Sequence, residues 1–147
     1  MNLLQRLEFW GDRHHPKWLD ILRIALGIFL CFKGIQFAEN ITAMQNLMSG
    51  NVPFSSFMII LLGHYIVFAH IMGGFMLALG MLTRFACLIQ LPIVIGAIIF
   101  INMSPGLFRP FSELILSVVI LGLLLYFLII GSGPWSFDRY NVERKRA

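Results

Sequence analysis

Histidine, lysine and carboxylate side chains sit inside otherwise apolar stretches of this chain, and these are the residues whose chemistry needs explaining. His64 and His70 fall within FMIILLGHYIVFAHIMGGFMLALGMLTR, and Lys33 and Gln36 fall within WLDILRIALGIFLCFKGIQFA. Two histidines in one apolar run invite a haem. Six residues apart on a helix, however, they differ by about 240° around the axis and about 9 Å along it, so they cannot be the two axial ligands of one haem within a single chain. Cys31 and Cys87 form no C-x-x-C pair and sit in separate apolar segments, which leaves neither a thioredoxin-like motif nor a zinc site. No catalytic motif stands out, and the chain reads as a binding protein rather than an enzyme.

Two constellations remain. Lys33, Gln36, His64, Asn102 and Glu113, with Glu39 at the rim, fall at one end of the apolar segments, where they could form a polar pocket or a hydrogen-bonded clasp. Glu113 and Glu39 are the candidate partners of the Lys33 ammonium, and Phe37, Phe68 and Phe100 would line an apolar cavity beneath. His70 lies deeper, beside Gly73 and Gly74, as a candidate contact for a quinone or another ligand. At the opposite end, Arg23, Arg84 and Asp138 could share one carboxylate between two guanidinium groups and tie the chain together.

The elements that position these groups are membrane spans. With 59% hydrophobic and only 12% charged residues, the 147-residue chain lies outside the range of soluble domains. About 20 apolar residues suffice to cross a hydrocarbon core of about 30 Å. Spans are expected at about 18–38, 57–82, 85–103 and 112–130, preceded by an interfacial segment at 1–17 and followed by a cytoplasmic tail at 131–147. The interfacial reading rests on Leu3, Leu4, Leu7 and Trp10, which share one helical face. The fold class is therefore all-α, a polytopic four-helix bundle forming one membrane domain. Ile41, Met44, Leu47 and Met48 predict a short surface helix between the first two spans, and Thr83 and Arg84 a tight turn between the second and third. Pro92 predicts a kink, because it cannot donate to the Leu88 carbonyl. In the second span, Ala69, Gly73, Gly74 and Ala78 have the small-xxx-small spacing that admits close helix packing in lipid.

Charge fixes the expected orientation. Arg6, Arg13, Lys17, Arg84, Arg139, Arg144, Lys145 and Arg146 fall on the side of the termini, against Arg109 on the other. The positive-inside rule then places both termini in the cytoplasm and the chain in the inner membrane. The formal charge of +4 does not point to nucleic acid, since the basic residues flank apolar segments instead of forming a patch.

Arg23 and Gly27 in LRIALG, Gly73, Gly74, Gly80 and Arg84 in GGFMLALGMLTR, and Gly131, Gly133 and Asp138 in GSGPWSFD together give the chain a form that resembles the DoxX family of small four-span membrane proteins, over roughly residues 21 to 138. His70 stands where that family often has an acidic residue. The resemblance implies a membrane partner of a quinone-linked or sulfur-linked redox system, with an oxidoreductase subunit or a second copy of the chain as its neighbour in the bilayer. No cofactor is identified from the sequence, and a quinone is the candidate ligand. The alternative is a small-solute or proton pathway formed by an oligomer and lined by Lys33, His64, His70 and Glu113.

Overall fold

A computed structural model describes residues 17–102, 111–133, 135–137 and 140. The expected interfacial segment, the loop containing Arg109, Asp138 and the basic tail lie outside these residues, apart from Lys17. Every regular element described is helical. Helix α1 spans Lys17–Glu39, α2 Ile41–Asn51, α3 Ser56–Leu79, α4 Thr83–Gly96 and α5 Phe111–Ile130. Helix α4 runs on into a π-helical stretch, Ala97–Asn102. Three helical stretches, Lys17–Glu39, Ser56–Leu79 and Thr83–Phe100, are long and apolar enough to cross a membrane, and Leu114–Ile130 is a shorter apolar helix.

Their outer surface confirms the solvent they are built for. On α3, Phe57, Leu61, Phe68, Met72, Phe75 and Leu79 recur at helical spacing and are all exposed, as are Ile21, Ile28, Phe32 and Ile35 on α1. Such continuous apolar faces suit lipid and not water. Inside, Leu26, Leu30, Leu77, Ala86, Cys87, Val94, Ile120, Leu124 and Phe127 form the core shared by α1, α3, α4 and α5.

Helices α1 and α3 make the most extensive interhelical contact, and glycine makes it possible. A methyl added at Gly27 would lie 2.5 Å from the Ala78 nitrogen and 2.6 Å from the Gly74 oxygen, and one at Gly74 would lie 2.7 Å from both the Cys31 nitrogen and the Gly27 oxygen. Gly74 and Ala78 of the expected small-residue stripe on α3 are therefore one half of a backbone-to-backbone crossing, with Gly27 and Gly34 of α1 as the other half, while Ala69 and Gly73 face Gln90 of α4. Cys31, on the same seam, donates from Sγ to the Ile71 carbonyl at 3.3 Å. Both cysteines are free thiols.

The turn after α3 comes earlier than the sequence suggests. Gly80 takes φ 70° and closes a paired cap, with its own N–H on the Leu77 carbonyl and that of Met81 on the Met76 carbonyl. The turn is thus Gly80–Leu82, and Thr83 and Arg84 already belong to α4. Leu82 also adopts a left-handed conformation, φ 46°, which is strained for a side chain with a β-carbon.

Helix α2 is the expected short surface helix, with Met48 its buried residue. Asn40 alone separates it from α1, and its N–H still bonds back to the Gln36 carbonyl. Met48 and Val52 are buried against Ile59, with Met44, Leu62 and Ile66 packed around them. Gly63 gives the close approach, since Gln45 and Met44 lie against its backbone. Helix α2 thus docks on the first half of α3 and roofs the space between α1 and α3.

Candidate functional site

Two ends of the helical assembly carry the polar residues. At the end where α1 begins, Arg23 and Asp20 are both fully buried and paired, Nη1 to Oδ1 at 2.9 Å. Arg23 also donates from Nε to the Leu77 carbonyl at 3.2 Å and from Nη2 to the Trp135 carbonyl at 2.9 Å. The Trp135 N–H in turn donates to Asp20 Oδ2 at 3.2 Å. The pair therefore satisfies both backbone groups of Trp135 and staples the segment after α5 to the start of α1 and the end of α3. Arg84 donates to the Ile129 carbonyl at 3.3 Å and packs beside Gly131. Of the expected set, Arg23 and Arg84 are at this end and Asp138 lies outside the described residues. Among the described residues Arg23 pairs with Asp20, three residues away on the same helix. That i, i+3 spacing was visible in the sequence and is the signal for the pair.

At the opposite end lies a cavity of about 880 Å³. Phe29, Leu30, Lys33, Gln36 and Phe37 of α1 line one wall, and Ala43, Met44, Leu47 and Met48 of α2 line the roof. Tyr65, Ile66 and His70 come from α3, Pro92, Val94, Ala97 and Phe100 from α4 and its π stretch, and Leu116, Ser117 and Ile120 from α5. Pro92 removes one backbone donor and the π stretch follows directly, so the helix is irregular where it faces the cavity.

Three expected site residues line this cavity together. Lys33 is half-buried, and its Nζ lies 5.9 Å from the centroid of the Phe29 ring. Among the described residues it makes no ion pair, and Glu39 is exposed at the rim. His70 is only 6% exposed, with its ring edge-on to Phe37 at 5.3 Å between centroids. Gly34 packs against His70 and Ile71, which places His70 level with Lys33 and not, as expected, apart from it. Gln36 is exposed and also lines the wall.

His64 and Phe68 fall elsewhere. His64 is exposed and absent from the lining, with Nδ1 on the Ile60 carbonyl at 2.8 Å. Phe68 is 62% exposed on the lipid-facing stripe, whereas Phe37 and Phe100 line the cavity. Asn102 ends the π stretch and Glu113 sits in the first turn of α5, and their side chains lie outside the described ones.

The sequence of the DoxX family matches residues 18–103, more than half of the chain. The chain belongs to the DoxX family. No curated protein and no solved structure matches it. In this DoxX protein the matched region contains the Asp20–Arg23 pair, the glycine crossing, the roof and the cavity residues Lys33, Gln36 and His70. Together with the apolar helices, the match makes this an integral membrane protein.

Gln90 is a polar residue that sequence reasoning passed over. It is fully buried against Gly73, donates from Nε2 to the Ala69 carbonyl at 2.8 Å, and leaves Oε1 without a partner among the described residues. A glutamine in the middle of an apolar span was the available signal, since such a group must be satisfied by a neighbouring helix.

Proposed function

We propose that this DoxX protein is the membrane partner of a redox or quinone-linked system and holds a small apolar molecule with a polar end, a quinone being the best candidate, in the cavity under α2. The observation that carries this reading is the convergence of Lys33, Gln36 and His70 on one wall system of about 880 Å³ whose other lining is mainly aliphatic and aromatic. That combination is the general form of a small-molecule site, with apolar walls for affinity and a few polar groups for orientation. Helix α5 completes a four-helix bundle as the fourth span. The termini are then cytoplasmic, the Asp20–Arg23 end faces the cytoplasm, and the cavity faces the outer leaflet of the inner membrane.

Lys33 gives the test. An ammonium at membrane depth costs about 2.5–3.5 kcal/mol on insertion scales, so a lysine kept there without a carboxylate among the described residues is better explained by a ligand than by packing. Lys33→Met is expected to weaken binding of a short-tailed benzoquinone in lipid nanodiscs by about tenfold, the scale of one charge-assisted hydrogen bond, while leaving the melting temperature unchanged or raised. A lowered melting temperature with unchanged quinone binding would make the cluster a clasp and overturn the reading.

A further inference from the structure

The hydrogen bonding of His70 specifies one end of the ligand. Nδ1 lies 3.0 Å from the Ile66 carbonyl oxygen. A carbonyl can only accept, so Nδ1 carries the proton. The ring is almost wholly buried, in a cavity that already holds the Lys33 ammonium, and a second positive charge there would be strongly disfavoured. It is therefore the neutral tautomer, and Nε2 is an acceptor. Phe37 on its edge and Gly34 against its β-carbon hold the ring in place.

No donor among the described residues occupies Nε2. The Tyr65 hydroxyl donates to the Ile89 carbonyl at 3.4 Å and the Asn40 amide to the Gln36 carbonyl at 3.1 Å, and among the described residues neither Lys33, whose Nζ lies 5.9 Å from the Phe29 centroid, nor Gln36 is hydrogen-bonded to His70. Building on the reading that this cavity holds a ligand, we infer that the ligand carries a hydroxyl on an aromatic or similarly apolar body and donates it to Nε2 of His70. Lys33 can only donate and His70 can only accept, so the two sort ligands by polarity. An aromatic alcohol or diol satisfies His70, whereas the corresponding ether or diketone leaves it unpaired. Of a quinone couple, the quinol therefore satisfies both groups, whereas the quinone binds through Lys33 alone and more weakly.

The test compares two probes that differ by one proton donor, β-naphthol and its methyl ether, at a pH where the naphthol is neutral. Binding is measured by equilibrium dialysis against the protein in lipid nanodiscs, with empty nanodiscs subtracted to remove partitioning. The wild-type protein is expected to prefer naphthol by about tenfold, and His70→Leu is expected to bring the ratio to about one by weakening naphthol alone. Equal wild-type affinities would overturn the donor assignment and leave the cavity reading standing. Binding of neither probe would overturn both. A preference that persists in His70→Leu would show that another group receives the hydroxyl. The wild-type ratio decides the matter even if the variant does not fold.

Discussion

Replacing Gly27 with alanine is expected to destabilise the protein toward the upper end of the roughly 1–3 kcal/mol typical of overpacking. The added methyl meets the Ala78 nitrogen at 2.5 Å and the Gly74 oxygen at 2.6 Å. These are backbone atoms of a helix, which cannot rotate aside as a side chain can, so α1 and α3 must separate. Separation loosens the seam up to Gly34 and His70, and with it the cavity wall. Gly74→Ala meets the Cys31 nitrogen and the Gly27 oxygen at 2.7 Å and should behave alike. Gly122, in α5, has open space around its α-carbon, so Gly122→Ala should stabilise by about 0.5–1 kcal/mol through helix propensity alone. Melting in mild detergent and elution on size exclusion would show the contrast. If Gly27→Ala melts with the parent, the close crossing does not exist.

The buried Asp20–Arg23 pair, one turn before Gly27 on α1, has the larger expected effect. Asp20→Leu removes the carboxylate paired with Arg23, with both side chains fully buried, and breaking such a pair costs about 3–5 kcal/mol. The Trp135 N–H loses its acceptor at the same time. Replacing both partners, as Asp20→Leu with Arg23→Met, should recover most of the loss, since no charge is then buried and what stays lost is the tethering by Arg23, which includes its bonds to the Trp135 and Leu77 carbonyls. A double variant no more stable than Asp20→Leu would mean that the backbone tethers dominate, and a single variant that melts like the parent would mean that the pair is not buried.

The apolar helices were legible because lipid imposes long uninterrupted runs, and the seam was legible on α3 because Ala69, Gly73, Gly74 and Ala78 share one spacing. That spacing also bears on which histidine faces inward. His70 lies one turn before Gly73 and Gly74 on the buried side, whereas His64 is exposed beside a helix face that carries Phe57, Leu61 and Phe68. Lys33 and Gln36 announced themselves as polar groups in an apolar run. Their assembly with His70 did not, because it depends on how α1 slides along α3, and this is fixed by backbone contacts at Gly27 and Gly34 that no periodicity encodes. Helix α2 was visible as a helix and invisible as a roof, since docking on Gly63 is a tertiary event. The pairing of Asp20 with Arg23 was also open to sequence reading, since their i, i+3 spacing puts them side by side on one helix.

The most direct measurement of the central claim is mass spectrometry of organic extracts from gently purified protein, comparing the wild type with Ala97→Trp. Ala97 lines the cavity from the π stretch, and an indole placed there would occupy the ligand's space without touching Lys33 or His70 by substitution. The account predicts that a single apolar molecule bearing a polar end accompanies the wild-type protein in near-stoichiometric amount and is depleted at least tenfold in the variant at an unchanged melting temperature. Recovery of bulk lipid alone from the wild type, or of the same molecule in equal amount from both proteins, would contradict it.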